Sequence, residues 1–506
     1  MVLIRNILIP VSKNIDLRQV LNKKFGISGE FRILRRSIDA RKRNHLKYNF
    51  TILTDIPPKL QKHHDILEYS KPVPYITKRI KLSNKHPFII GAGPAGLFAA
   101  ISLVKKGFQP YIFERGETIG KRKVKVRSFL ETGVLNEESN IQFGEGGAGA
   151  FSDGKLTARN RDFYTERILD NLIKFGADES IRWNALSHLG TDGLTKIIVN
   201  MRKYLESKGC EFFWDHKLED IRIEDGNVLE VTINRQTYSP EILILAIGNS
   251  ARDTYELLSG KVNLENKPFA VGFRIEHPQD YINSAFYGDK TDINITGPAT
   301  YKLTAKYKDR GIYSFCMCPG GYIVAAASEK NHQVLNGMSF QKRDNIYANS
   351  GIVVTVNEKD YGNGNLAGME LQRNIEQKCY ASDKPYYAPI QRAADFLENK
   401  SILQKISNSY KPGTFPADLN GLLPTRISES IKSGLFSFDK RIAGFIENGV
   451  LLAPETRTSS PIRILRDKVT LQALEISNLF PIGEGSGYAG GIISSAADGY
   501  KLGCVF

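Results

Sequence analysis

The stretch "PFIIGAGPAGLFAAISLVKKGFQPYIFERG", residues 87–116, decides the fold. "PFII" is a short apolar run suited to a buried strand. "AGLFAAISLVKKG" is a helix closed by Gly107, and "QPYIFERG" is a second strand. Between the first strand and the helix, Gly91, Gly93 and Gly96 satisfy G-x-G-x-x-G, the pattern of a dinucleotide-binding turn. That pattern alone is weak, and its surroundings supply the argument. Gly91 permits the tight turn, Gly93 lets backbone approach a pyrophosphate, and Gly96 lets helix and strand meet. The helix N-terminus offers unpaired N–H groups to phosphates. Glu114, at the end of the second strand, is placed to accept from ribose hydroxyls, and an acid there disfavours a 2′-phosphate.

A second run, "NIQFGEGGAGAFSDGKL" at 140–156, spells the same pattern with Gly144, Gly146 and Gly149. No amphipathic helix follows it and no acid ends a following strand, so it is not an independent nucleotide site. Its glycines suit backbone lying close against a flat ligand, which a Cβ would block.

The rest of the chain bounds the possibilities. At 506 residues it has room for two or three domains. Of the net charge of +15, residues 1–85 hold 19 Lys or Arg against 6 Asp or Glu, leaving +2 for the remainder. The basicity therefore belongs to an N-terminal module: a strand "VLIRNILIPV", a helix ending at Gly26, and two strands around a basic turn. Pro57 and Pro58 punctuate its end. Helices are expected over "FYTERILDNLIKFG" and "TDGLTKIIVNMRKYLESKG", and a hairpin turn at Asp225-Gly226. The four units are 1–83, basic α/β; 84–270, the first nucleotide-binding segment; 271–452, an inserted mixed α+β domain; and 453–506, the last nucleotide-binding segment.

Five scattered cysteines argue for a reducing compartment and against a disulfide scaffold. Cys316-Met317-Cys318 lacks the two-residue spacer of a redox or zinc pair and is given no role. The eight histidines show no metal-ligand spacing, and no metal is expected. The most membrane-like window, seventeen residues from Phe88, is too short to span a bilayer. With no secretory signal evident, the expected location is cytoplasmic.

Three segments carry a resemblance. "IIGAGPAGLFAAISLVKKGFQPYIFERG" resembles the FAD-binding start of the glutathione-reductase-like flavoproteins. "LILAIGNSARDT" is similar to their second fingerprint, and "LFPIGEGSGYAGGIISSAADG" to their late strand and helix. Together with "PETRTSSPIRILRD" and the 140–156 run, these look like the bacterial family of uncharacterised FAD-dependent proteins, or FAD-dependent dehydrogenases. The resemblance covers residues 87–506, and "RRSIDARKR" extends it to the leading domain. It implies an α/β fold with a Rossmann-like, glutathione-reductase-like FAD domain and FAD as cofactor. Gly91, Gly93, Pro94, Ala95 and Gly96 would hold the pyrophosphate, and Glu114 with Arg115 the adenosine ribose. Ala246, Gly248 and Asn249 would lie over the cofactor. Gly483, Glu484 and Gly485 would meet the diphosphate and ribityl chain, with Glu484 standing where Asp is commoner. Gly490, Gly491 and Ile492 would face the pyrimidine ring. Gly144, Gly146, Gly147, Ala148 and Gly149 would line the isoalloxazine of the same single FAD.

The implied activity is that of an oxidoreductase passing electrons between FAD and a small unidentified substrate, with NADH or NADPH as a transient donor. No second nucleotide-binding unit lies between 255 and 450, and no C-x-x-C supplies a dithiol relay. Weak candidates for direct participation are Asp153, Lys155, Arg274 (as an anion clamp or a structural ion pair) and Arg457, with Arg463 near the last strand. Two alternatives stand beside this reading. One is a flavin-dependent RNA-modifying enzyme, with Arg35, Arg36, Arg41, Lys42 and Arg43 meeting phosphates and Tyr48 or Phe50 stacking on a base. The other is a redox-responsive binding protein without catalysis.

Overall fold

Phe88–Ile90, Leu243–Leu245 and Leu479–Pro481 are three-residue strands without a polar side chain, and each is buried throughout. Such runs suit the interior of a parallel sheet covered on both faces. In the computed structural model, which describes residues 1–55, 64–74, 80, 83–157, 162–400 and 405–506, they form that sheet's middle and one edge. Its order is Leu479–Pro481, Leu243–Leu245, Phe88–Ile90, Tyr111–Glu114, Glu211–Trp214, all parallel. The helix Pro94–Val104 crosses from Phe88–Ile90 to Tyr111–Glu114, the Rossmann-like unit expected from residues 87–116. The helix Ile492–Tyr500, near the end of the chain, lies against it so closely that a Cβ on Gly499 would fall 2.0 Å from the Ala95 carbonyl oxygen.

Both expected helices form, as Phe163–Lys174 and Gly190–Glu206. The hairpin forms too: Glu224 pairs with Asn227 across Asp225 and Gly226, at φ +47° and +71°, the left-handed pair of a type I′ turn. One helix, Ile119–Thr132, has no counterpart in the sequence reading. Its buried residues Ile119, Arg122, Val126 and Phe129 fall at helical spacing. Four Lys or Arg between 121 and 125, one of them the buried residue itself, hide that stripe.

A seven-stranded sheet follows, ordered Thr304–Tyr307, Arg310–Cys318, Tyr347–Val356, Phe269–Pro278, Val450–Glu455, Ala388–Arg392, Thr414–Pro416. The helix Thr425–Asp439 packs on it, with Gly434 in place of a side chain that would strike Ile312. The strand Arg310–Cys318 is irregular at its end: its register against Tyr347–Val356 shifts between Phe315 and Cys318, and Cys316 sits at φ +45°. This bulge turns the residues after Phe315 out of the ladder.

The basic N-terminal unit is a four-stranded sheet, ordered Phe31–Asp39, Lys47–Thr54, Val2–Pro10, Ile66–Glu68. Its helix Leu17–Phe25 is capped by Asp16 and ends at Gly26, φ +65°. Part of the expected connector joins the sheet as Ile66–Glu68, whereas Pro57 and Pro58 lie outside the described residues. Tyr48 and Phe50, expected as base-stacking rings, are instead buried in this unit's core. Tyr48 also donates to the Ile295 carbonyl, 3.2 Å away. Arg36 is engaged within the chain, its Nε donating to Asn184 Oδ1 at 3.0 Å, and Arg41 pairs with Asp39. Among the described residues no helix is long and apolar enough to cross a membrane.

The seven-stranded sheet carries a built-in acid sensitivity. His277 is buried and its Nε2 lies 2.8 Å from the Phe445 carbonyl, to which the neutral ring donates. Burial pushes its pKa down from 6.5 to about 4. The unfolded chain therefore takes up this proton below about 6.5 and the folded one only near 4, so stability is lost as pH falls across that window. The loss amounts to on the order of 3 kcal/mol. Urea midpoints compared at pH 7.5 and 4.5 should drop in the wild type, and His277→Phe should shrink that drop even though it lowers the midpoint at pH 7.5.

Candidate functional site

At the carboxyl ends of the parallel strands, Gly91 takes φ +107°, where a Cβ would sit 2.4 Å from the Ala246 carbonyl oxygen. Only glycine turns the chain there. Gly96 keeps helix and turn in contact: its Cβ would lie 2.0 Å from the Gly91 oxygen. The glycine-rich run then lies backbone-to-backbone on this turn. Gly146 N donates to Ala92 O at 2.9 Å, and a Cβ on Gly147 would come 3.2 Å from the Gly93 Cα. The two glycine motifs are two walls of one cavity.

Glu114 joins them. Its carboxylate accepts from the N–H of Ala92 (2.8 Å), Gly116 (3.0 Å) and Gly144 (2.8 Å). Those bonds use three of the roughly four acceptor positions of a carboxylate. Its first task is thus to staple the turn to the glycine run, with one position left for a ribose hydroxyl. Arg122, which the sequence reading missed, holds the run from behind. It is fully buried and donates to the carbonyls of Asn140 (2.6 Å), Ile141 (2.8 Å), Gly144 (3.3 Å) and Glu145 (2.8 Å). Glu145, also missed, accepts from Ile119 N at 2.7 Å at the start of the Arg122 helix and from Arg202 at 2.8 Å.

The cavity between these walls measures about 430 Å³. Gly91, Gly93, Pro94 and Ala95 line its centre. On one side lie Glu114 and Arg115, with His216 and Lys217, which the sequence reading did not single out. Ala246, Gly248, Asn249 and Glu484 form the floor, and Gly147, Ala148, Gly149, Gly490, Gly491 and Ile492 continue the wall. Asp153, Lys155, Cys316, Asn336 and Arg457 line the cavity as well. Gly96, Gly144, Gly146, Gly483 and Gly485 stand off the cavity, and each makes a contact that a Cβ would spoil. A Cβ on Gly144 would meet Arg122, on Gly146 Ile198, on Gly483 Ala95 and on Gly485 Gly248.

The donor set fits a dinucleotide. The helices Pro94–Val104 and Ile492–Tyr500 both begin at the cavity, capped by Gly93 and Gly491, and neither has a side-chain cap. Their first N–H groups are left for a ligand. A Cβ on Gly248 or Gly490 would meet nothing within 4 Å, so these backbones face open space.

Two candidates are corrected by their partners. Arg274 is fully buried off the cavity, its Nε 2.7 Å from Glu455 and its Nη1 2.6 Å from Asn349 Oδ1. It is a structural ion pair and no anion clamp. Arg463 pairs with Glu265, also off the cavity. Asp153, Lys155 and Arg457 do reach it. The Asp153 carboxylate receives Lys155 at 2.9 Å and Arg343 at 2.5 Å, together with the Ser339 hydroxyl. These cations hold it well below the usual carboxylate range despite burial. Arg457 straddles Glu376 (3.1 and 2.9 Å), which also takes Arg252 at 2.7 Å. Burial pushes the Glu484 carboxyl up to about 7, against the pull of Lys267 and of Asn249, whose Nδ2 donates at 2.9 Å. Among the described residues no group of three His, Cys, Asp or Glu is arranged to hold a metal.

Comparison with known proteins adds to this geometry. Residues 268–458 match the model of the FAD-dependent protein, C-terminal domain-like, residues 89–127 that of an NAD(P)-binding Rossmann-like domain, and residues 1–54 a domain of unknown function. A protein of Clostridium beijerinckii, described only as uncharacterized, is 42% identical over 504 residues, covering 96% of this chain and 94% of its own. Two solved structures are similar over 83% of the chain. One is CtdE in complex with FAD (10% identity, 83% of that chain, TM-score 0.32), the other a salicylate hydroxylase substrate complex (14%, 79%, 0.34). Likeness this slight carries no inference about activity. The near full-length relative and the match over the seven-stranded sheet do carry one: this chain belongs to the FAD-dependent protein family, and FAD is its cofactor.

Proposed function

We propose that the protein is an oxidoreductase whose small substrate meets FAD at the Lys155–Arg457 end of the cavity. In this reading the binding domain is glutathione-reductase-like. The Gly91–Ala95 turn holds the diphosphate, Glu114, Arg115 and Lys217 the adenosine, and Asn249 and Glu484 the ribityl chain. The isoalloxazine lies against Gly147–Gly149 and Gly490–Ile492. Bound there, FAD supplies a two-electron acceptor and donor.

The observation that carries the proposal is the pair of carboxylate-fixed cations, Lys155 and Arg457, in the cavity lining. Lys155 and Arg457 are each fixed by a carboxylate that is itself held by a further arginine, Arg343 or Arg252. Two oriented cations beside Asn336 suit a substrate with a carboxylate or other anionic group, and support negative charge developing at the facing ring edge. Asp153 and Glu376 fix those cations in position. With no second nucleotide-binding unit among the described residues, NADH or NADPH would reach the same cavity as a transient donor. The few, scattered cysteines support a reducing, cytoplasmic setting.

Anaerobic mixing with NADPH or NADH should bleach the yellow absorbance, and air should restore it. A flavin that dithionite bleaches, but that neither nicotinamide nor any carboxylate-bearing metabolite reduces or reoxidises, would overturn the proposal in favour of a redox-responsive binding role.

A further inference from the structure

The bulge at the end of the strand Arg310–Cys318 brings together two side chains the spacing had dismissed. In a regular strand, residues i and i+2 stand about 6.6–6.8 Å apart, the outer limit for a disulfide. Here the register shift and the left-handed Cys316 break that spacing. Both sulfurs surround one ammonium: Lys155 Nζ lies 3.7 Å from Cys316 Sγ and 3.7 Å from Cys318 Sγ. Cys316 lines the cavity, while Cys318 is fully buried behind it and directs its thiol at the Cys316 carbonyl, 3.2 Å away. The lysine is fixed by Asp153 at 2.9 Å, and Arg274 adds a second positive charge nearby.

We propose that Cys316 and Cys318 form a redox-active dithiol–disulfide pair in the FAD cavity, with Cys316 as the accessible, attacking sulfur and Lys155 as its counter-ion. In the forward sense two thiols lose two protons and two electrons and form one S–S bond. Oxidised flavin in the cavity is the two-electron acceptor and takes up one of the two protons, while the other leaves through the cavity to solvent. A small disulfide serves equally as oxidant: the Cys316 thiolate displaces one thiol from it, and Cys318 displaces the second from the mixed disulfide, giving two thiols in all.

The chemistry of the surroundings agrees. The Cys318 thiol, then Lys155 and Arg274, pull the Cys316 thiol well below its ordinary value, whereas the adjacent sulfur and then burial push Cys318 up. An attacking thiolate beside a protonated resolving thiol is the division of labour that exchange requires. The remaining cysteines give the contrast. For two of them, burial alone pushes Cys210 up to about 12, and burial with the Glu376 charge raises Cys379 against the pull of Lys378.

The proposal goes beyond the oxidoreductase reading and fails independently of it, because a flavin can turn over with these cysteines inert. Holoprotein oxidised with diamide or glutathione disulfide should, after denaturation and alkylation, label three of its five cysteines, with a loss of 2 Da in the peptide spanning 316–318. Reduced beforehand with excess dithiothreitol and kept anaerobic, the holoprotein should label all five. Cys316→Ser should label four before and after oxidation, whereas Cys318→Ser treated with glutathione disulfide should keep glutathione on Cys316 as a mixed disulfide and label three. In an anaerobic dithionite titration the oxidised wild type should take four electrons per flavin and each variant two. In the folded, reduced protein iodoacetamide should reach Cys316 first, at least tenfold slower in Lys155→Met. Five labelled cysteines after oxidation, or two electrons per flavin in the wild type, would overturn the proposal. Should a serine variant fail to fold, labelling and titration of the wild type decide alone.

Discussion

Arg122→Ala should yield a colourless, destabilised protein. Four backbone carbonyls, from Asn140, Ile141, Gly144 and Glu145, converge on this one buried guanidinium. Its Cζ also lies 4.7 Å from the Phe151 ring centre. Each carbonyl left unsatisfied in the interior costs about 1–3 kcal/mol. Even if water enters the vacated space and rescues some of them, the loss should be at least ~3 kcal/mol, read as a shift in urea midpoint. The wall that Arg122 braces is the one against which the flavin ring is proposed to lie, so FAD affinity should fall at least about 100-fold, which corresponds to about 2.7 kcal/mol. Arg122→Lys, with one ammonium for several acceptors, should fall between. Yellow Arg122→Ala protein with an unchanged midpoint would show that the glycine run holds its shape without this residue.

Gly93→Val should separate folding from cofactor binding. Unlike Gly91, Gly93 has φ −78° and ψ −174°, a conformation any residue adopts, and its Cβ would meet only the Gly147 Cα at 3.8 Å, an ordinary contact. The variant should therefore fold with an apo-protein midpoint within about 1 kcal/mol of the wild type. Yet the side chain would stand on the backbone surface that lines the cavity at the uncapped helix start. FAD titration should show at least a 100-fold weaker Kd. Gly91→Ala is the matching control, expected to damage the fold itself through the clash with Ala246. Equal FAD affinity in Gly93→Val and wild type would remove the Gly91–Ala95 turn from the binding surface.

What the sequence disclosed follows from how local each feature is. The first turn was legible because strand, glycines, helix and acid fall within thirty consecutive residues, and the Asp225-Gly226 hairpin because its turn needs only two. The role of Glu114 was half legible. Its place at a strand end implied a ligand contact, but its bond to Gly144 depends on a run thirty residues away. Arg274 could be read as a clamp or an ion pair until Glu455, 181 positions on, was seen beside it. Arg122 was hidden because a buried cation breaks the apolar pattern by which a helix face is recognised. The Cys316–Cys318 pair was hidden by the bulge, since spacing rules assume a regular strand and the bulge removes that assumption.

That the two glycine runs build one site is most directly tested by counting. Stripped of flavin and titrated calorimetrically with FAD, the folded chain should bind one equivalent, and Gly93→Val and Arg122→Lys should both weaken that single event. Two equivalents of FAD, or a second event that survives Gly93→Val, would mean that residues 144–149 form a nucleotide site of their own and that the shared cavity is wrong.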